Sequence, residues 1–95
     1  MTIKYDIKRS SKFKKEFRKI LKSGRNVDEF DEVLMMLASG VTLPEKYRDH
    51  SLKGNWKGYR ECHVQPDLLL IYVIEEDVLI LELHRIGSHA DLFNM

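Results

Sequence analysis

The chain of 95 residues holds one cysteine, two prolines, five glycines and one tryptophan, and its net charge is only +1. With Cys62 alone, no disulfide closes within the chain, and a reducing, cytoplasmic setting is the expectation. There is no Cys-x-x-Cys, no His-Glu-x-x-His and no histidine pair four residues apart. His84 and His89 stand five apart, which suits no common zinc spacing, so neither a metal nor a cofactor is expected. No apolar run approaches the roughly 20 residues that span a bilayer, so no membrane partner is expected. Residues 1–9 alternate charged and apolar types, unlike a secretory signal. Scarce proline and glycine leave no linker, repeat or low-complexity stretch. A hydrophobic share of 43% beside 33% charged residues is that of an ordinary folded domain, read as one unit over 1–95.

The near-zero net charge conceals an asymmetry. Residues 1–25 carry ten Lys or Arg against Asp6 and Glu16, while the rest of the chain carries six against thirteen acidic groups. A basic end on a small domain suits a phosphate-rich partner, although a solvated helix face has the same composition.

Residues 2–9 alternate, with Ile3, Tyr5 and Ile7 on one side, as in a strand. Ser10 or Ser11 is placed to cap a helix by accepting a bond from a free N–H of its first turn. Phe13, Phe17, Ile20 and Leu21 form one apolar stripe, and Ser23-Gly24 ends the helix. A second helix is predicted from near Val27 to Ser39, ended by Gly40. Val27, Phe30, Leu34, Leu37 and Val41 form its apolar face, with acidic residues crowding its positive N-terminal end. The C-terminal half is read as strands over 50–53, 59–65, 68–75 and 78–86, with a helical turn in 88–93. The run 68–74 is apolar on both faces, as a fully covered central strand requires. Pro66 breaks the chain between two strands because it cannot donate a backbone bond. The predicted fold is α+β, with element order β-α-α-β-β-β and a helical hairpin packed on a mostly antiparallel sheet.

All four histidines, His50, His63, His84 and His89, fall in the second half, at strand ends or adjacent loops where side chains of several elements converge. Asp67 follows Pro66, Arg85 closes the last strand, and His63 alternates away from the core side of Cys62 and Val64. Metal-free RNA cleavage needs a base for the 2′-hydroxyl, a cation for the phosphorane and an acid for the leaving 5′-oxygen. Histidine suits both proton roles and arginine suits the phosphate. Residue types alone are a weak signal, because histidines of small proteins commonly serve on the surface or in packing. Cys62 has no cationic neighbour in the sequence and reads as a small core residue.

More specific are ordered motifs. Asp49-His50, then Leu52-Lys53-Gly54-Asn55-Trp56-Lys57-Gly58-Tyr59-Arg60, His63-Val64-Gln65-Pro66-Asp67, Ile71-Tyr72 and the ending Arg85-Ile86-Gly87-Ser88-His89-Ala90-Asp91-Leu92-Phe93 resemble the YafQ branch of the RelE/ParE toxin superfamily. The resemblance implies a RelE-like fold and a toxin of a type II toxin–antitoxin pair. Such a toxin is a ribosome-dependent, metal-independent endoribonuclease, an mRNA interferase that cleaves through the 2′-hydroxyl. A cognate antitoxin silences it and carries any contact with operator DNA.

The catalytic positions implied are His50, His63, Asp67, Arg85 and His89. His89 would be the acid and His50 or Asp67 the base; His63 would hold the phosphate or share the proton, and Arg85 would neutralise the phosphorane. Phe93 would stack on a base, and Lys53, Lys14, Lys15 and Arg18 would contact RNA, the last three from the basic first helix. Leu68 replaces a tryptophan common in the branch, which bears on codon preference. His84 matches no motif and is read as structural or exposed, and Trp56 as a plug folding its loop onto the domain. Two other functions compete: a ParE-like gyrase inhibitor, and a catalytically inactive antitoxin-binding module.

Overall fold

A computed structural model describes residues 2–93. Its elements are β1 (Asp6–Arg9), α1 (Ser11–Lys22), α2 (Asp28–Ala38), β2 (His50–Ser51), β3 (Arg60–Gln65), β4 (Leu68–Glu75), β5 (Ile80–Gly87) and α3 (His89–Phe93), with single 3-10 turns at Glu45–Tyr47 and Gly54–Trp56. The five strands form one sheet in the order β1-β5-β4-β3-β2. β1 pairs with β5 in parallel and every other pair is antiparallel. The expected α+β fold with two helices on a mostly antiparallel sheet is therefore observed.

β4 is the central strand, and its first five residues are buried. Alternation sends Leu68, Leu70 and Tyr72 to one face and Leu69 and Ile71 to the other. On the first face they meet α1 and α2 through Phe13, Phe30, Val33 and Leu37. The rings of Phe13, Phe17 and Phe30 join the helices to each other, at centroid separations of 4.7–5.9 Å. On the second face Leu52, Trp56, Tyr59, Leu92 and Phe93 form a smaller cover over Leu69 and Ile71. A strand covered on both sides needs no polar alternation, which is why this run is continuously apolar.

Ser10 caps α1 by accepting the Phe13 N–H at 3.0 Å, and its own hydroxyl donates to the His84 carbonyl at 2.6 Å. The cap thereby ties the start of α1 to β5. β1 ends where Arg9 stands opposite Leu83. Beyond that point the edge of β5 is free, and Glu16 of α1 accepts the Ile86 N–H at 3.2 Å.

Several details differ from the sequence reading. Strand β1 is only four residues long and lies at the sheet edge, so Ile3 and Ile7 are exposed while Tyr5 alone is buried. Leu21 and Val41 are exposed, and Val33 and Ala38 occupy the core in addition to Phe30 and Leu37. The other expected stripe residues, Phe17, Ile20, Val27 and Leu34, pack partly buried against that core. Val78 and Leu79 belong to the β4–β5 turn, where Leu79 adopts a left-handed φ of 53°. β2 is confined to His50–Ser51.

The burial pattern yields a direct contrast. Phe13→Ala should cost about 3–5 kcal/mol of stability in urea unfolding, and Leu21→Ala, half-exposed on the same helix, less than about 1 kcal/mol.

Candidate active site

Three short pieces of chain bring three histidines to one end of the sheet. His50 comes from β2, which is too short to hold itself. Asp49 anchors it, accepting from the Tyr72 hydroxyl at 2.5 Å and from Arg60 Nε and Nη2 at 3.3 and 3.2 Å. Arg60 Nη1 also donates to Ser51 Oγ at 2.8 Å. Asp49 holds the Arg60 guanidinium above its ordinary pKa, while burial and then Asp49 push the Tyr72 phenol up. The His50 Nδ1 lies 2.7 Å from the Arg48 carbonyl, an acceptor, which assigns the ring proton to Nδ1 and leaves Nε2 as the free nitrogen.

His63 is on β3, opposite Leu69. His89 begins α3, and Ser88 and Asp91 place it by a reciprocal cap. Asp91 N–H donates to Ser88 Oγ at 3.1 Å, and Ser88 N–H donates to Asp91 Oδ2 at 3.2 Å. These bonds hold the Asp91 carboxyl below its usual range. Gly87 allows the turn to close, since a Cβ there would stand 3.2 Å from Asp91 Cβ.

The rings of His63 and His89 meet edge to face at 5.7 Å, and Phe93 lies 6.1 Å beyond His89. Between the histidines sits the buried Glu61, whose Oε1 is 3.5 Å from both His50 Nε2 and His63 Nε2. A groove of about 610 Å³ opens beside them, lined by Lys46, Tyr47, Arg48, His63, Pro66 and His89 among others. Burial lowers the His63 pKa below the ordinary histidine value; Glu61 opposes this, while His89, Arg48 and His50 add to it. The arrangement offers a proton acceptor, a proton donor and two cations around one open groove, as general acid–base chemistry on a phosphodiester requires. Glu61, His63 and His89 also present one donor atom each within 4.8 Å of one another, the one such group among the described residues.

A family model described as the bacterial toxin of type II toxin–antitoxin systems, YafQ, matches residues 5–94. The chain belongs to the YafQ toxin family. It is 37% identical over 92 residues to the mRNA interferase toxin YafQ of Escherichia coli K12, covering 96% of this chain and 98% of that protein. The E. coli DinJ–YafQ toxin–antitoxin complex aligns with a TM-score of 0.86 at 36% identity, over 96% of this chain and 99% of that one. A metal-bound toxin from Helicobacter pylori aligns with a TM-score of 0.87 at 43% identity, over 94% and 99%.

Of the site residues expected from the YafQ resemblance, His50, His63, His89 and Phe93 are gathered at this end of the sheet. Asp67 is exposed in the β3–β4 turn, next to Pro66 of the groove. Arg85 faces α1, where Glu16 accepts from Nε at 3.0 Å and from Nη2 at 2.7 Å; Glu16 also holds its guanidinium above the ordinary pKa. Lys14, Lys15 and Arg18 lie on the exposed side of α1, and Lys53 is exposed before the 3-10 turn. Leu68 is buried among core residues, so its side chain offers no face to RNA.

His84 stacks on Tyr59 at 4.6 Å, and Trp56 packs against Tyr59, His84 and Phe93, consistent with structural roles for both. Cys62 is fully buried, and burial pushes its thiol pKa up, so it stays a protonated core residue.

Sequence reasoning missed Glu61, Lys46 and Arg48. The alternation that turns His63 away from the core also turns Glu61, two residues earlier, to the same face, so a signal for it existed. Nothing in the local sequence marked Arg48, whose left-handed φ of 49° ends the 3-10 turn.

The lowered His63 pKa has a defined sign. The unfolded chain takes up this proton first, so the His63 contribution to stability is complete above about pH 6.5 and declines as pH falls below it. Wild type should lose more stability between pH 7 and 5.5 than His63→Gln does, as measured by urea unfolding at each pH.

Proposed function

We propose that this chain is a ribosome-dependent mRNA interferase that cleaves messenger RNA by acid–base catalysis through the 2′-hydroxyl, without a metal. The observation that supports it best is that His63 and His89 line one open groove while His50 stands beside His63 against the same Glu61 oxygen. The name of its E. coli relative, an mRNA interferase, points to the same reaction. In this reading His50 or Asp67 removes the 2′-hydroxyl proton and the 2′-oxygen attacks phosphorus. His63 holds the phosphate or shares the proton, and His89 protonates the departing 5′-oxygen. The products are a 2′,3′-cyclic phosphate and a 5′-hydroxyl.

Arg85 serves the phosphorane only by loosening its hold on Glu16, whereas Arg48 and Lys46 already line the groove. Phe93, beside His89, supplies a face for a base, and such stacking contributes about 1–3 kcal/mol. A metal ion such as that of the H. pylori toxin would find donors here in Glu61, His63 and His89. It would therefore compete with RNA for the groups that move protons.

Among the described residues the groove is open to solvent, so it holds a flexible RNA only loosely. A decoding site that presents an ordered codon would supply the alignment, which favours the ribosome as the place of action. The exposed basic face of α1, with Lys14, Lys15 and Arg18, fits ribosomal RNA phosphates, and Lys53 is exposed in the loop that follows His50. The partner that silences the protein is a cognate antitoxin, as DinJ is for the YafQ with which it crystallised. Operator DNA would be reached only through that antitoxin, and the working compartment is the cytoplasm.

Primer extension on translated messenger RNA tests the reading. Wild type should produce ribosome-dependent cuts within codons, and His89→Ala should reduce them by at least about 100-fold. A folded wild type that makes no cuts would overturn the reading, and inhibition of gyrase supercoiling would then identify a ParE-like toxin. Reversing Lys14, Lys15, Arg18 and Lys19 to glutamate should weaken ribosome binding and flatten its salt dependence, as read by co-sedimentation across a salt series.

A further inference from the structure

Glu61 is the one charged side chain buried among the described residues, at 4% exposure. A buried carboxylate without a compensating partner is costly, so its surroundings indicate what it serves. Its ion-pair partners among the described residues are His50 and His63, each with Nε2 at 3.5 Å from the same oxygen. Pairing and pleat set both distances: Glu61 stands directly opposite His50 across the β2–β3 ladder, and two residues before His63 on the same face of β3. The Arg48 carbonyl takes the Nδ1 proton of His50, so the His50 nitrogen free to accept a proton is the one that faces Glu61.

We propose that Glu61 is a positioning residue shared by His50 and His63: one carboxylate oxygen stands 3.5 Å from both Nε2 atoms, and it accepts from and balances the imidazolium that either ring becomes when it takes the 2′-hydroxyl proton. This inference rests on the nuclease reading above. A fixed negative charge beside the base favours the transition state, in which the ring gains positive charge, over the ground state, in which it is neutral. The effect therefore belongs in the cleavage step and not in RNA affinity. Because both rings lie against one oxygen, loss of that charge should disturb them together and leave His84, whose ring packs on Trp56 and Tyr59 instead, as it is.

The test uses single-turnover cleavage of ribosome-bound messenger RNA over a range of toxin concentrations, with Glu61→Gln and Glu61→Asp beside wild type. Glu61→Gln keeps the volume and removes the charge; its maximal rate should fall about 100-fold, with the half-saturating concentration within about twofold of wild type. Glu61→Asp keeps the charge but shortens the reach, and should recover a substantial part of the rate. It carries the test if the glutamine variant fails to fold. Long-range proton–nitrogen spectra of the imidazoles should show His50 and His63 shifting together in Glu61→Gln, with His84 unchanged.

A glutamine variant that cleaves at the wild-type rate would overturn the proposal. So would a loss confined to half-saturation, an aspartate variant no better than glutamine, or unchanged His50 and His63 signals. Absence of cleavage by wild type itself would instead count against the nuclease reading, which separates the two failures.

Discussion

Burial of β4 on both faces is the constraint from which the rest of the structure follows. A strand with Leu68, Leu70 and Tyr72 on one side and Leu69 and Ile71 on the other must be covered twice, and the chain supplies two unlike covers. The aromatic rings and aliphatic chains of α1 and α2 close one face. The 52–59 loop and α3 close the other, and the site grows from this second, thinner cover. α3 carries His89 and Phe93, and the loop begins just after His50. Packing on Leu69 and Ile71 therefore also sets where the side chains of the candidate site stand.

Around that core, a few polar contacts each do one positional task. The Tyr72 hydroxyl reaches from the central strand to Asp49, and Arg60 grips the same carboxylate, so a two-residue strand holds His50 in register. Glu16 satisfies the unpaired Ile86 N–H and engages Arg85, which links α1 to the part of β5 that β1 does not reach. The Ser88–Asp91 cap sets the first turn of α3. Each contact is partly exposed and adds modest stability. Their larger effect is geometric, since catalysis depends on placement finer than hydrophobic packing alone provides.

Much of the framework was legible from periodicity. Ser10 as a cap, Gly24 and Gly40 as ends of helical segments, Pro66 as a break and the doubly apolar 68–74 run each follow from local chemistry that the tertiary structure had no reason to override. The errors fall where a neighbour decides. Ile7 is exposed because β1 is an edge strand, and Val33 and Ala38 are buried because α2 turns toward the sheet. The histidines and Phe93 are singled out by motifs. Arg85 shows how a residue identity leaves orientation open: the same guanidinium suits a phosphate or the Glu16 carboxylate.

By itself, the sequence determined the kind and succession of the main elements, the central strand and the presence of side chains whose chemistry suits proton transfer. Those properties arise from side-chain chemistry and from spacing along a helix or strand, which are local. Only the tertiary structure decided which of those residues share one space. The parallel return of β1 onto β5 and the docking of α3 on Leu69 and Ile71 join residues distant in the chain, the register of β2 on β3 depends on how its loop folds, and no local period encodes them. Glu61 is the clearest case. Its alternation with His63 was readable, but its burial and its second histidine, His50, arise only when β2 and β3 pair in this register.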